Sequence, residues 1–176
     1  MGVVDMVDAS SLLMKIASRV ELFQGLGRIA LERLLSRAER VSKEEGELFF
    51  DEGEDGASFY VLLLGEARVE KKRGAQWVPL VTLKPGESFG EMTLVGDKIR
   101  SARVRACSEA VSLCINNRAL DNDHEILAAL YRNIAKLTTR RLRGFNGELA
   151  EFRAARQAPE IVPPTVSDRI DEDDDR

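Results

Sequence analysis

Glycines divide the middle of the chain into short segments. Eight of the 13 glycines fall between residues 46 and 96. They separate four strand-like segments, which are Leu48–Asp51, Ser58–Leu64, Glu66–Lys72 and Trp77–Leu83. Many short strands joined by tight turns are typical of sandwiches and jelly rolls. The pattern therefore predicts a mainly β fold with flanking helices, in which residues 41–116 form a sandwich or a jelly-roll-like domain, called the β-roll below.

Two helices are predicted before the β-roll, in a helical segment that spans residues 1–40. Ser10 or Ser11 can cap the first helix, whose apolar residues recur at helical spacing as far as Phe23. Residues 22–26 are expected to break this helix. The second helix is predicted from about Arg28 to Ala38. Both helices are expected to cover one end of the β-roll.

Two more helices are predicted after the β-roll. Asn116 or Asn117 can cap a short one, and Asn122 or Asp123 can cap a long one that ends near Arg156. The region between them is expected to act as a hinge for the long helix.

The long C-terminal helix, which with its hinge covers residues 117–156, carries two apolar stripes. The first is expected to pack on the β-roll and consists of Leu127, Leu130, Ile134 and Leu137. The second alternates four- and three-residue spacings, as a coiled-coil seam does, and consists of Tyr131, Ala135, Thr138, Leu142, Phe145, Leu149 and Phe152. The second stripe is predicted to form a homodimer interface, and the alternative is that it serves as a lid over a ligand.

The end of the chain is rich in proline and acidic residues. Residues 157–176 contain three prolines and end in the run DEDDD before Arg176. This composition predicts a disordered acidic tail. DNA phosphates would repel such a tail, and the residues after Phe152 leave no room for a recognition module, so no DNA binding is expected.

Three further classes of protein are not supported by the sequence. The longest apolar run, Phe59–Leu64, has six residues, whereas a membrane-spanning helix needs about 20. We therefore expect no membrane span and a cytoplasmic location. His124 is the only histidine, which leaves no ligand set for a metal in the β-roll and no convincing base for a Ser or Cys nucleophile. Neither a metal site nor an enzyme is expected.

The stretch at residues 89–106 carries the clearest chemical signal. It reads as a strand end, a short helical turn, a loop and a second strand. Gly90 lets the backbone approach a ligand closely. The amides of Met92, Thr93 and Leu94 are expected to open the helical turn without intrahelical partners. This arrangement predicts an anion site that would fit a phosphate.

Arg100 follows Glu91 by nine residues, far enough for the loop to bring a guanidinium fork to two phosphate oxygens. An ionised Glu91 is an acceptor that suits a sugar hydroxyl. The string FGE at 89–91, followed after eight residues by RSA at 100–102, resembles the phosphate-binding cassette of cyclic nucleotide-binding domains. The preceding LKPG, at residues 83–86, is similar to the lead-in of that family.

The resemblance covers about residues 20–155 and implies a site for cyclic AMP or cyclic GMP, with no other cofactor. Glu91 would accept the ribose 2'-hydroxyl. The implied ligand residues are Gly90 and Glu91 at the ribose, Met92, Thr93, Arg100 and Ser101 at the phosphate, Val81 and Leu83 below the base, and Arg141, Phe145 and Asn146 above it.

Cyclic AMP is expected to be preferred over cyclic GMP, because the resemblance places Ser101 at a position where family members that prefer cyclic GMP more often have a threonine. The resemblance implies a signalling module whose C-terminal helix, hinged near Asp121–Asp123, moves on ligand binding and acts on a separate effector protein. The alternative is a degenerate domain that binds no nucleotide and serves as an interaction scaffold. The bulk of Phe145 at the expected base position favours that alternative.

Overall fold

The computed structural model of the chain describes residues 14–15, 17–96 and 98–157. Its contacts define two compact units, divided between Thr139 and Arg140. The β-roll, the described N-terminal residues and the first half of the last helix belong to the first unit. The predicted cap at Ser10 or Ser11 and the predicted acidic tail beyond Gln157 lie outside the described residues.

Eight strands form two four-stranded antiparallel sheets. The strands are β1 Ala38–Lys43, β2 Leu48–Phe50, β3 Ser58–Leu64, β4 Ala67–Arg73, β5 Gln76–Leu83, β6 Ser88–Phe89, β7 Arg103–Ala106 and β8 Ala110–Asn116. One sheet has the order β1-β8-β3-β6 and the other β2-β7-β4-β5. The four strands predicted from the glycine pattern are all present, with each end within one residue of the prediction. The mainly β fold with flanking helices is confirmed.

Helical elements flank the strands. They are the 3-10 helices η1 Glu21–Phe23, η2 Glu91–Leu94 and η3 Asn117–Leu120, and the α-helices α1 Arg28–Leu35 and α2 His124–Gln157. The Asn116 side chain caps η3 by accepting from the amide of Arg118. Asp123 caps α2, because its Oδ1 accepts from the amide of Ile126 at 3.4 Å.

The chain between the two N-terminal helices is wound more tightly than an α-helix. A break was expected at residues 22–26, and the amides of Val20 and Phe23 each bond the carbonyl three residues back, at 3.1 and 3.0 Å. These bonds tighten the chain into η1, which buries Leu22 and Phe23. The second helix ends at Leu35 rather than Ala38, because Ala38 already pairs with Ile115 as the first residue of β1.

Alternation along β3 separates two apolar cores. Leu62 faces the space between the two sheets, where the buried residues are Phe49, Phe50, Leu62, Ala67, Leu83, Phe89, Val104, Ala106 and Ala110. Phe59 and Val61 face the helices, in a core with Leu22, Leu34, Leu113, Ile115, Ile126, Leu130 and Ile134. The stripe of α2 predicted to pack on the β-roll therefore does so, with Leu127 and Leu137 partly buried at its margin.

Polar contacts fasten the first half of α2 to the N-terminal segment. The Nδ2 of Asn133 donates to the carbonyls of Leu22 and Gln24, at 2.9 and 2.7 Å. The carboxylate of Asp123 lies 3.2 Å from both Arg33 and Arg37. The start of α2 is thus fixed to the helices before the β-roll as well as to the sheet.

The second unit begins at Arg140 and contains the rest of α2. The apolar side chains of the predicted seam within it are about half exposed, and they are Leu142, Phe145, Leu149 and Phe152. None of the described helices combines the length and the apolar character needed to cross a bilayer.

Two leucines of β3 give a matched test of the inter-sheet core. Leu62 is fully buried, whereas Leu64, beyond a register shift at the strand end, is 59% exposed. Leu62→Ala is expected to lower the free energy of unfolding by about 2–5 kcal/mol, the usual cost of such a cavity. Leu64→Ala is expected to change it by about 0.5 kcal/mol or less. Urea denaturation measures both, and equal effects would contradict the described core.

Candidate functional site

Gly90 shapes the start of η2. Its φ of 74° and ψ of 5° lie in the left-handed region, which other residues rarely adopt. A β-carbon at this position would lie 2.5 Å from Nη1 of Arg100 and 3.3 Å from Cε1 of Phe50. Glycine is therefore required here both by the backbone conformation and by the space that the guanidinium occupies.

Backbone pairing brings Arg100 to the acidic turn before β3. Its amide donates to the carbonyl of Glu54 at 2.8 Å, and its carbonyl accepts from the amide of Gly53 at 2.9 Å. The side chain then turns inward and is only 5% exposed. Nη1 donates to the carbonyl of Gly90 at 3.1 Å, and Nη2 donates to the carbonyl of Ser58 at 2.8 Å. The buried Nε has no hydrogen-bond partner among the described residues.

Aromatic rings support the guanidinium. The Cζ of Arg100 lies 3.9 Å from the ring centroid of Phe50 and 5.9 Å from that of Tyr60. Tyr60 in turn stacks on Phe89, with centroids 5.1 Å apart and planes within 8°. A β-carbon at Gly56 would overlap the guanidinium on another side. The cation is held by ring faces, two carbonyls and close backbone.

Burial sets the electrostatics of this pocket. It lowers the pKa of Arg100, although Tyr60, Cys114, Glu54 and Glu91 act in the opposite direction when they are ionised. Burial, followed by the influence of Cys114, raises the pKa of Tyr60 to about 12. Tyr60 therefore stays neutral at physiological pH, and an anion placed beside Arg100 would gain from a guanidinium that is poorly solvated.

The residues of η2 lie next to Arg100. Glu91 is 1% exposed, and the side chain of Met92 is half exposed. The Thr93 amide donates to the carbonyl of Gly90 over 3.4 Å, so the prediction that this amide has no intrahelical partner was wrong. The reason is that η2 is a 3-10 helix, whose bonds span three residues rather than four and so reach back to Gly90.

Ser101 contacts one residue of η2 and one residue of β4. Its hydroxyl is exposed and lies 3.9 Å from the sulfur of Met92, and its carbonyl accepts from Nζ of Lys71 at 2.5 Å. Lys71 also pairs with Glu52 at 2.8 Å. Sequence reasoning did not find these partners, because a charged residue on a strand gives no signal of which loop it reaches.

The residues expected around the base lie in different surroundings. Leu83 is 2% exposed in the inter-sheet core, whereas Val81, two residues earlier on β5, is 48% exposed. Arg141, Phe145 and Asn146 belong to the second unit, and their role above the base stays a prediction. The described residues contain no group of three or more His, Cys, Asp or Glu that could hold a metal ion.

Comparison with known proteins identifies the class of domain to which this site belongs. Residues 40–122 match the family model described as the cyclic nucleotide-binding domain. This part of the chain belongs to the cyclic nucleotide-binding domain family, as the FGE and RSA strings indicated.

The names of individual relatives mention different cyclic nucleotides. The chain is 32% identical over 129 residues to the cyclic AMP receptor protein of Thermus thermophilus, covering 73% of this chain and 60% of that protein. It is 30% identical over 105 residues to human cGMP-dependent protein kinase 2, covering 58% of this chain and 14% of the kinase. The crystal structure of the Thermus thermophilus catabolite activator protein matches with a TM-score of 0.67 and 30% identity, over 76% of this chain and 63% of that one. The chain thus spans less than two thirds of each.

Gly90 and Gly96, on either side of η2, provide a test of the site's geometry. Gly90→Ala is expected to destabilise the fold by at least about 1–2 kcal/mol, because alanine is strained in the left-handed region and its methyl would displace Arg100. A β-carbon at Gly96 would make only ordinary contact, 3.5 Å from the carbonyl of Met92. Gly96→Ala is the control and should leave the free energy of unfolding within about 0.5 kcal/mol of wild type. Equal losses in urea titrations would refute the described turn.

Proposed function

We propose that the first unit binds a cyclic mononucleotide, cyclic AMP before cyclic GMP, and acts as a cytoplasmic signalling module rather than an enzyme. Ligand binding changes the position of the C-terminal helix, and a separate effector protein reads that change. Membership in the family supports the ligand class. The names of the two relatives above include both nucleotides, so the order of preference rests on Ser101 alone.

Arg100 is the observation that carries the proposal. The residue is only 5% exposed, its buried Nε has no hydrogen-bond partner among the described residues, and burial lowers the pKa of its side chain. A cyclic phosphate has one negative charge and two exocyclic oxygens, which match a guanidinium fork. An anion of this kind would offset the cost of burying the cation, so the pocket favours it.

The remaining ligand groups follow from the cassette. We infer that Gly90 and Glu91 hold the ribose and that the amides of Met92 and Thr93, with Arg100 and Ser101, hold the phosphate. For Thr93 this requires its long bond to the Gly90 carbonyl to open or to be shared. A long bond of 3.4 Å is weak and can be given up at little cost.

Arg100→Ala tests the phosphate contact. Truncating one partner of a buried charged pair costs about 2–5 kcal/mol, so cyclic AMP should bind roughly 30-fold to several thousand-fold more weakly. Isothermal titration calorimetry with cyclic AMP and cyclic GMP measures the loss and the nucleotide preference together.

Lys98→Ala is the matched control for the charge. It removes a positive charge two residues away, from an exposed side chain in the same loop. Affinity should change by less than about fivefold, because an exposed charge contributes about 0–1 kcal/mol at physiological salt. Unchanged affinity in folded Arg100→Ala would remove Arg100 from the site.

A nucleotide-free scaffold is the second candidate. The observation that favours it is that Arg100 already has two carbonyl partners and an aromatic support, as an arginine with a purely structural role would. A thermal-shift assay separates the two functions. A ligand at about 100 times its dissociation constant stabilises the folded state by about 2.7 kcal/mol, whereas a scaffold would show no shift with either nucleotide.

We also propose a homodimer through the second apolar stripe of α2. Its side chains in the second unit, Leu142, Phe145, Leu149 and Phe152, remain about half exposed along one helix. Exposed apolar residues at seam spacing favour pairing with a second copy of the helix.

Leu149→Glu tests the dimer. Burying a carboxylate in an apolar seam is costly, so this variant should sediment as a monomer at concentrations where the wild type is a dimer. Ala150→Glu introduces the same group at the neighbouring position, off the stripe, and should stay dimeric. Analytical ultracentrifugation measures both, and a wild type that sediments as a monomer throughout would end the dimer proposal.

A further inference from the structure

A chain of hydrogen bonds leads from Arg100 to η3. The Nη1 of Arg100 donates to the carbonyl of Gly90 at 3.1 Å. The hydroxyl of Thr93 donates to the same carbonyl at 3.0 Å. The Nδ2 of Asn117 then donates to that hydroxyl at 3.2 Å and to the carbonyl of Thr93 at 3.3 Å. The Gly90 carbonyl and the Thr93 hydroxyl therefore connect the guanidinium to Asn117, the first residue of η3.

The orientation of the Asn117 amide is fixed by chemistry. A carbonyl oxygen can only accept, so the nitrogen of the amide has to face Thr93. The Oδ1 of Asn117 is buried and has no partner among the described residues. Leaving a buried acceptor unpaired is unfavourable, and packing alone gives no reason for an amide here.

The backbone of Asn117 is anchored beside the second partner of Arg100. Its amide donates to the carbonyl of Ala57 at 2.7 Å. The next residue, Ser58, supplies the carbonyl that accepts from Nη2 of Arg100. Asn117 thus contacts, directly or through Thr93, both stretches of backbone that hold the guanidinium.

The carbonyl of Gly90 can respond to the ligand. It faces three donors, which are Nη1 of Arg100 and the hydroxyl and amide of Thr93. A carbonyl oxygen has two lone pairs, so these donors compete. If Arg100 turns toward a phosphate oxygen, the carbonyl of Gly90 keeps only the two donors of Thr93. The Thr93 hydroxyl, which accepts from Asn117, would then shift as well.

A short path continues from Asn117 to α2. Leu120, the last residue of η3, is fully buried, and its carbonyl accepts from the amide of Asp123 at 2.8 Å. Asp123 caps α2. A displacement of η3 therefore reaches the start of the long helix within six residues of Asn117.

We propose that Asn117 is the positioning residue that transmits the ligand state of Arg100, through Thr93, to η3 and the start of α2. The inference rests on the proposed binding of a cyclic nucleotide and adds its internal regulation. An alternative route from η2 to the helices is apolar, because Leu94 of η2 packs against the helix-facing core. Only the polar route depends on the side-chain amide of Asn117 and the hydroxyl of Thr93.

Hydrogen exchange followed by mass spectrometry tests the relay. Exchange across residues 117–126 is measured without ligand and with cyclic AMP at a concentration that calorimetry shows to be saturating for each variant. In the wild type, the ligand should change the exchange rate in this segment by about 2- to 13-fold. This is the usual net contribution of one hydrogen bond to stability, expressed as a ratio of rates. Asn117→Ala should reduce that change to less than about twofold while still binding the ligand. Thr93→Val should reduce it by as much at the cyclic AMP concentration that saturates this variant.

Two variants control for a merely structural effect. Asn116→Ala removes the cap of η3 from the neighbouring asparagine and should keep the ligand-induced change. Thr93→Ser retains the hydroxyl and should keep it as well. If Asn117→Ala fails to fold, Thr93→Val carries the test, because it removes the hydroxyl and preserves the volume.

The outcomes separate the relay from the proposed function. A ligand-induced change that persists in Asn117→Ala and Thr93→Val overturns the relay and leaves nucleotide binding intact. So does a wild type that binds cyclic AMP without any change at residues 117–126, or a loss as large in Asn116→Ala as in Asn117→Ala. A wild type that binds neither cyclic AMP nor cyclic GMP overturns the proposed function, and the relay with it.

Discussion

The burial of one guanidinium constrains the part of the β-roll that surrounds η2. Arg100 occupies space that a β-carbon at either Gly56 or Gly90 would take. Its charge is supported by the ring of Phe50 and by the carbonyls of Gly90 and Ser58. Removing a cation from water is costly, and dipoles and ring faces offset only part of that cost. The glycines and the aromatic ring are therefore understandable as requirements of Arg100 itself, before any ligand is considered.

The sequence predicted what depends on local patterns. Glycine spacing located β2 to β5, the asparagine and aspartate caps located η3 and α2, and the spacing from FGE to RSA brought Arg100 to η2. These features depend on residues close together in the chain or on a composite motif. The partners of Arg100 could not be predicted in the same way, because the carbonyls of Gly90 and Ser58 are backbone groups with no side-chain signature. The bond from Asn117 to Thr93 joins residues 24 positions apart, and an asparagine at the start of a helix is interpreted first as a cap.

The two halves of α2 meet different physical demands. Through Thr139 the helix buries Ile126, Leu130 and Ile134 against the sheet, and beyond it the apolar side chains are about half exposed. Helical periodicity alone shows that both halves have apolar stripes and does not say which stripe finds a partner within the chain. The division of α2 at Thr139 could therefore be recognised only from the structure.

The first half of α2 contacts the sheet and the N-terminal segment through interactions of different kinds. Its contact with the sheet is apolar and non-directional, so small displacements change its free energy gradually. Its contacts with the N-terminal segment are directional. The side chain of Asn133 donates to the carbonyls of Leu22 and Gln24, and Asp123 forms an ion pair with Arg33. Breaking those bonds would leave buried polar groups unpaired, which is more costly than sliding along an apolar surface. A shift that begins at η3 should therefore carry the N-terminal helices and the first half of α2 together across the sheet, rather than bend α2 away from them.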